Sequence, residues 1–162
     1  MVKIALYNDS GKLITKSDLK LSDASFGKQY PDGRIIVNWS GENNDHDGNG
    51  FDKHHLEDNG EHTKVVLLKK GTVIARYGSP GGRFTTDSQS DYSKLSLPYA
   101  RESIEYHQYE VLSDQLPVLC YVTRGRVAPM FDSPGGAVQY MHEQKISLEI
   151  EDGKIQEVFT WL

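Results

Sequence analysis

The sequence predicts an α+β fold that is mainly β, a single domain spanning 1–162 with antiparallel sheets and short helices. Three observations lead there. Short alternating stretches of apolar and polar residues recur, turn-forming clusters of Asn, Asp, Gly and Pro separate them, and 162 residues can bury a core without disulfides or a structural metal.

The first strand is predicted at 2–7, with Asn8-Asp9-Ser10-Gly11 as a turn and 13–15 as the returning strand of a hairpin. Residues 1–30 carry weaker signals than the rest and read as an accessory segment. The stretch 41–60 is crowded with Asn, Asp, Gly and His and is expected to be a long solvated loop or lid. Strands at 63–68 and 72–77 flank Lys69-Lys70-Gly71, and strands at 106–112 and 118–122 flank a polar break with Asp114 and Pro117. Short helices are expected at 94–97, at 100–105 and within 137–142, after paired glycines. At the end, Ile146-Ser147-Leu148-Glu149-Ile150 alternates, Asp152-Gly153 supplies a turn, and 155–161 alternates again, which predicts a terminal hairpin.

Charge and composition exclude several classes of function. Lys and Arg number 18 against 23 Asp and Glu, a net charge of −5, so there is no basic excess to engage nucleic acid or an anionic membrane surface. The longest apolar runs fall far short of the roughly 20 residues of a membrane-spanning helix. Met1-Val2-Lys3-Ile4-Ala5-Leu6 is too short for the apolar core of a cleavable signal peptide. The single cysteine, Cys120, lies in an apolar run and reads as a small buried hydrophobe.

Three segments combine glycine, aromatics and a few polar groups beyond what strand connections require. In Arg76-Tyr77-Gly78-Ser79-Pro80-Gly81-Gly82-Arg83-Phe84, a cation at a strand end opens onto a loop whose glycines allow close backbone approach, an arrangement suited to a pyrophosphate. In Tyr106-His107-Gln108-Tyr109-Glu110-Val111, alternation puts His107, Tyr109 and Val111 on one face, and His107 is a candidate for a cleft. In the run from Ala128 to Tyr140, a Pro-Gly-Gly turn precedes Gln139, whose neutral amide suits a sugar hydroxyl. Taken singly, each has a plainer reading: a glycine-rich turn, a hydrogen-bonded strand histidine, a surface amide.

A fourth segment, Asp45-His46-Asp47-Gly48-Asn49-Gly50, opens like a calcium-binding loop. The twelfth residue from Asp45 is Leu56, with Glu57 one place late, so the bidentate ligand is missing. His46, His54, His55 and His62 lack the fixed spacing of a metal site. No metal is assigned, and calcium is kept as an alternative.

The order and spacing of the three segments resemble the TNT family, named for the tuberculosis necrotizing toxin, whose members are NAD glycohydrolases. The resemblance runs over about 71–140: Arg76-Tyr77-Gly78 and Gly82-Arg83-Phe84, Ser96-Leu97-Pro98, the Tyr106–Val111 strand, Ala128-Pro129-Met130-Phe131, and Pro134-Gly135-Gly136-Ala137-Val138-Gln139-Tyr140. Phe84 and Met130 depart from the tyrosine and tryptophan that many relatives carry.

The resemblance implies a fold distantly related to ADP-ribosyltransferases and a toxin that hydrolyses NAD to nicotinamide and ADP-ribose. It implies Gln139, Arg76 and His107 as catalytic residues. Around them it implies a substrate site of Arg76, Tyr77, Gly78, Ser79, Arg83, Phe84, Phe131, Gly136 and Tyr140. NAD is then the substrate, no resident cofactor is needed, and NADP is left open as a second substrate. A cognate inhibitor protein is the implied partner, and the implied setting is a secreted effector acting in a target cell's cytosol. Two alternatives stand beside this: an ADP-ribosyltransferase, for which the chain lacks an evident Glu-x-Glu pair, and a non-catalytic, calcium-regulated binding module.

Overall fold

The computed structural model describes residues 3–5, 28–29, 35–38, 46–97, 101, 104–129 and 133–161. Its centre is a seven-stranded sheet in the order β12-β7-β5-β6-β11-β10-β4. The strands are β4 (Lys64–Leu67), β5 (Val73–Tyr77), β6 (Phe84–Asp87), β7 (Tyr106–Val111), β10 (Tyr121–Arg126), β11 (Val138–His142) and β12 (Ile155–Trp161). Every neighbouring pair is antiparallel. Short strands β1 (Lys3–Ala5), β2 (Lys28–Gln29) and β3 (Ile35–Asn38) form a second sheet, and β8 (Asp114–Gln115) with β9 (Val118–Leu119) a third. One short helix, α1 (Ile146–Glu151), precedes β12. The mainly β, antiparallel expectation therefore holds. Among the described residues no helix is long and apolar enough to cross a membrane.

Strand register gives the large sheet two chemically distinct faces. Ile74 is paired with Tyr109, Ile155 with Val111, and Arg124 with Tyr140. Side chains directly opposite share a face, so these positions and those two residues away form one surface. Its apolar members join Val122, Val138, Cys120 and Ile146 in the core. Burial pushes the Cys120 thiol up to about 12, which suits a packed, unreactive side chain.

The other face carries Ala75 opposite Gln108 and Thr86, Tyr77 opposite Tyr106, Phe84 opposite Met141, and Gln139 opposite Gly125. It is less deeply covered, and the sequence-predicted aromatic and amide groups gather on it.

Four sequence expectations are corrected or narrowed. Residues 146–151 are helix, not the first strand of a hairpin, because β12 pairs with β7 and the helix turns Ile146 and Glu149 inward together. The helix begins against the glycine-rich loop, where Ile146 N–H donates to Gly82 O and Ser147 N–H to Pro80 O. Residues 138–142 are strand rather than helix: Val138, Tyr140 and His142 alternate inward while β10 and β6 pair on either side. The 46–60 part of the expected solvated loop is exposed over most of 53–60, but it is anchored to the sheet at two points. Phe51, 1% exposed, pairs with Val127, and buried Glu57 holds Arg124. The helix expected at 94–97 is a single 3-10 turn, Tyr92–Lys94, capped by Asp91. The strand at 13–15, most of the helix at 100–105 and residues 41–45 lie outside the described residues.

Candidate active site

The less covered face of the sheet holds a shallow cleft open to solvent. Its floor is Ala75, Tyr77, Phe84, Thr86 and Gln139, and its wall is Leu95, Leu97 and Val127. Three parts of the chain remote in sequence thus meet, because β5, β6 and β11 are consecutive in the sheet while the segment after the 3-10 turn covers them. The surroundings are aromatic and apolar with few polar groups, the usual make-up of a small-molecule site.

Tyr77 continues into an aromatic group. Its ring centroid lies 4.9 Å from Tyr92 and 4.9 Å from Tyr106, and the Arg101 guanidinium sits 4.7 Å from it. Burial raises the Tyr77 phenol above its ordinary value, with Arg101 opposing, so the ring is a neutral surface at physiological pH. Gln139 stands on β11 with Nε2 donating to Asn49 O at 3.0 Å. An amide held by its nitrogen keeps Oε1 as an acceptor.

Arg76 borders the cleft, but its guanidinium is turned beneath the loop: Nε donates to Ser79 O at 2.6 Å and Nη1 to Phe84 O at 3.0 Å. A Cβ on Gly82 would overlap this guanidinium, so the glycine lets the side chain lie close against the loop. The loop therefore turns carbonyls toward the cation. That tie fixes where Phe84 enters β6.

Other sequence-predicted residues lie elsewhere. Gly78 is buried with N–H donating to Glu105 O, and Gly136 N–H donates to Val127 O beside the cleft wall. Arg83 donates to His142 O and Glu143 O and borders a second hollow with Tyr121, Thr123 and Met141. Tyr140 is on the core face, its hydroxyl donating to Asp87 at 2.7 Å, and burial with that carboxylate pushes its phenol up to about 12. Phe131 lies outside the described residues.

His107 is also on the core face, away from the cleft. Nδ1 meets Glu157 Oε1 at 2.5 Å and Nε2 meets Glu105 Oε2 at 2.8 Å. Burial works to lower its pKa, but hydrogen bonds to the two carboxylates outweigh it and hold the imidazolium above its ordinary value. Glu157 is correspondingly lowered: burial opposes, while Thr160 and His107 prevail. A raised imidazole pKa stabilises the fold fully below about 6.5, and that support fades as pH rises through the folded value. A thermal-melt series should show wild type ahead of His107→Gln near pH 6, with the lead shrinking toward pH 9. It should also shrink at the acid end, as Glu157 protonates.

The family model described as tuberculosis necrotizing toxin matches residues 67–158, more than half of the chain. The chain belongs to this toxin family. A solved structure of tuberculosis necrotizing toxin complexed with its immunity factor shares the fold, with a TM-score of 0.60 and 17% identity over 91% of this chain and 73% of that one. A sequence search among curated proteins finds no match.

Within this TNT-family chain, the matched stretch contains Arg76, Tyr77, Phe84 and Gln139, the sequence-predicted residues that meet at the cleft. Sequence reasoning missed Thr86, Leu95 and Val127, which have no chemical signature, and the Asn49 carbonyl, which a side-chain reading does not consider; Leu97 was marked only as part of the Ser96-Leu97-Pro98 resemblance. In the calcium-like loop, Asp47 accepts from Asn49 N–H and Phe51 N–H and pairs with His62 at 2.8 Å. Among the described residues no cluster of three His, Cys, Asp or Glu is arranged to hold a metal, and Asp45 lies outside them.

Proposed function

We propose that the chain is an NAD glycohydrolase that cleaves the bond between nicotinamide and the ribose C1 carbon. The observation supporting this reading is the convergence of Tyr77, Phe84 and Gln139 on one open, largely apolar cleft.

Nicotinamide in NAD is a cationic leaving group, so cleavage sends the bonding electron pair to the ring nitrogen and releases a neutral base without protonation. Water supplies the new C1–O bond and loses a proton, giving ADP-ribose. The protein's task is to hold the ribose while positive charge develops on it, and to admit water. Gln139 Oε1 accepts from a ribose hydroxyl, and Phe84 and Tyr77 offer ring faces to the nicotinamide. Arg76 acts through the loop, by holding Phe84, rather than as the diphosphate anchor. His107 braces β7 from behind. NADP is open to the same chemistry, and a proteinaceous inhibitor is the partner implied by the complexed neighbour. The setting is the cytosol of a target cell.

Nicotinamide release from NAD by the purified chain, across pH and with and without calcium, tests the reading. Turnover supports it; none under any condition overturns it. Arg76→Lys is expected to raise KM and to cost about 1–3 kcal/mol in a denaturant melt, since an ammonium cannot bridge the two carbonyls as a guanidinium fork does. An unchanged KM would show that the loop needs no fork.

A further inference from the structure

The turn at 46–52 lies before the family-matched stretch, yet it touches the cleft's amide. We propose that it is a clasp for Gln139, in which Phe51 and Asp47 are positioning residues; the catalytic part of this rests on the glycohydrolase reading.

Gln139 and Gly125 are direct cross-strand partners on β11 and β10. The Phe51 ring occupies the space above Gly125: a Cβ built there would stand 2.5 Å from Phe51 Cδ1 and 3.0 Å from His62 O. Phe51 therefore seats the turn beside Gln139, in a place that exists because residue 125 has no side chain. The backbone continues the attachment. Phe51 is bridged to Val127, Asp52 N–H donates to Arg126 O, and Ala128 N–H donates to Gly50 O.

Asp47 shapes the turn from within. Its Oδ1 accepts from Asn49 N–H at 2.9 Å and from Phe51 N–H at 3.3 Å, while Oδ2 is held by His62 Nε2 at 2.8 Å. The outcome is a fixed Asn49 carbonyl, which receives Gln139 Nε2. A glutamine has several side-chain torsions to freeze before its amide can serve a ribose hydroxyl, and a preset partner for the nitrogen freezes them before substrate arrives. The same bond decides which end of the amide faces substrate.

The test combines kinetics with NMR of the Gln139 side-chain amide in the full chain. Phe51→Ala and Asp47→Ala should each lower kcat about tenfold with KM changed less than about twofold. Phe51→Leu and Asp47→Asn, which keep the seat and the Oδ1 acceptor, should recover most of it. Neither alanine variant should reduce the residual activity of Gln139→Ala further, because clasp and amide act as one unit. In the wild type the Nε2 hydrogen that bonds Asn49 O should be shifted away from its position in a solvated glutamine, and in folded Phe51→Ala and Asp47→Ala it should move back toward that position. Unchanged amide signals in the folded variants would overturn the clasp, as would an undiminished kcat loss in the Gln139→Ala background. If wild type releases no nicotinamide, the glycohydrolase reading fails, while the amide signals still decide for or against the clasp.

Discussion

Replacing Gln139 by alanine is expected to reduce nicotinamide release from NAD by roughly 100- to 1,000-fold, the loss typical of removing one preorganised hydrogen-bonding group from a transition state. The change should appear mainly in kcat, because the ribose hydroxyl gains most from a fixed acceptor when the ring flattens and its charge grows, while apolar stacking on Phe84 and Tyr77 persists in the variant. The fold should survive. Gln139 is half-buried at the cleft and contributes one hydrogen bond to a loop carbonyl, so its loss belongs to the ordinary range of about 1 kcal/mol. Steady-state kinetics with a thermal melt on the same sample checks both parts. Full activity in Gln139→Ala would remove the amide from the mechanism, and a loss seen wholly in KM would make it a binding group.

The legible parts of the fold and site are those where local pattern and tertiary demand agree. On β7, the alternation that predicted His107, Tyr109 and Val111 on one face is the observed burial pattern. Gln139 is legible as a neutral amide after paired glycines, Phe84 only through the family resemblance, and both reach the same sheet face because they open or occupy adjacent strands. Arg76 shows the opposite case: its residue type announces an anion, while the carbonyls of Ser79 and Phe84 that engage it have no mark in the sequence. The described part of the 41–60 loop reads as solvated because Phe51 and Leu56 are its only bulky apolar residues. One buried ring against Gly125 is enough to anchor it, and that pairing is invisible to any local window. At 146–151 the short run supports period two and a helical i, i+3 spacing equally well, and a glutamate pointing inward is what pattern reading treats as outward.

That inward glutamate gives the largest expected effect on stability. Glu149 is 0% exposed, with Oε2 3.1 Å from Lys154 Nζ and Oε1 3.4 Å from His142 Nδ1. His142, also fully buried, is joined through Nε2 to the Thr85 hydroxyl at 2.7 Å, so one network ties α1 to β11, β6 and the approach to β12. Burial opposes ionisation of Glu149, but the neighbouring His142 ring and the Lys154 ammonium prevail and hold its carboxyl below the ordinary value. Glu149→Ala removes the anion and strands its partners, which for a buried pair costs about 3–5 kcal/mol, or roughly 6–20 °C in Tm for a chain of this size. Because the folded pKa is depressed, the stabilisation is complete above the ordinary carboxylate value of about 4.3 and is lost as pH falls through the folded value. The gap in Tm between wild type and Glu149→Ala should therefore be wide at pH 7 and narrow in strong acid. A gap that does not narrow with acid would assign the loss to the vacated volume rather than the charge. Glu149→Gln separates the two, since it keeps the volume and removes the anion.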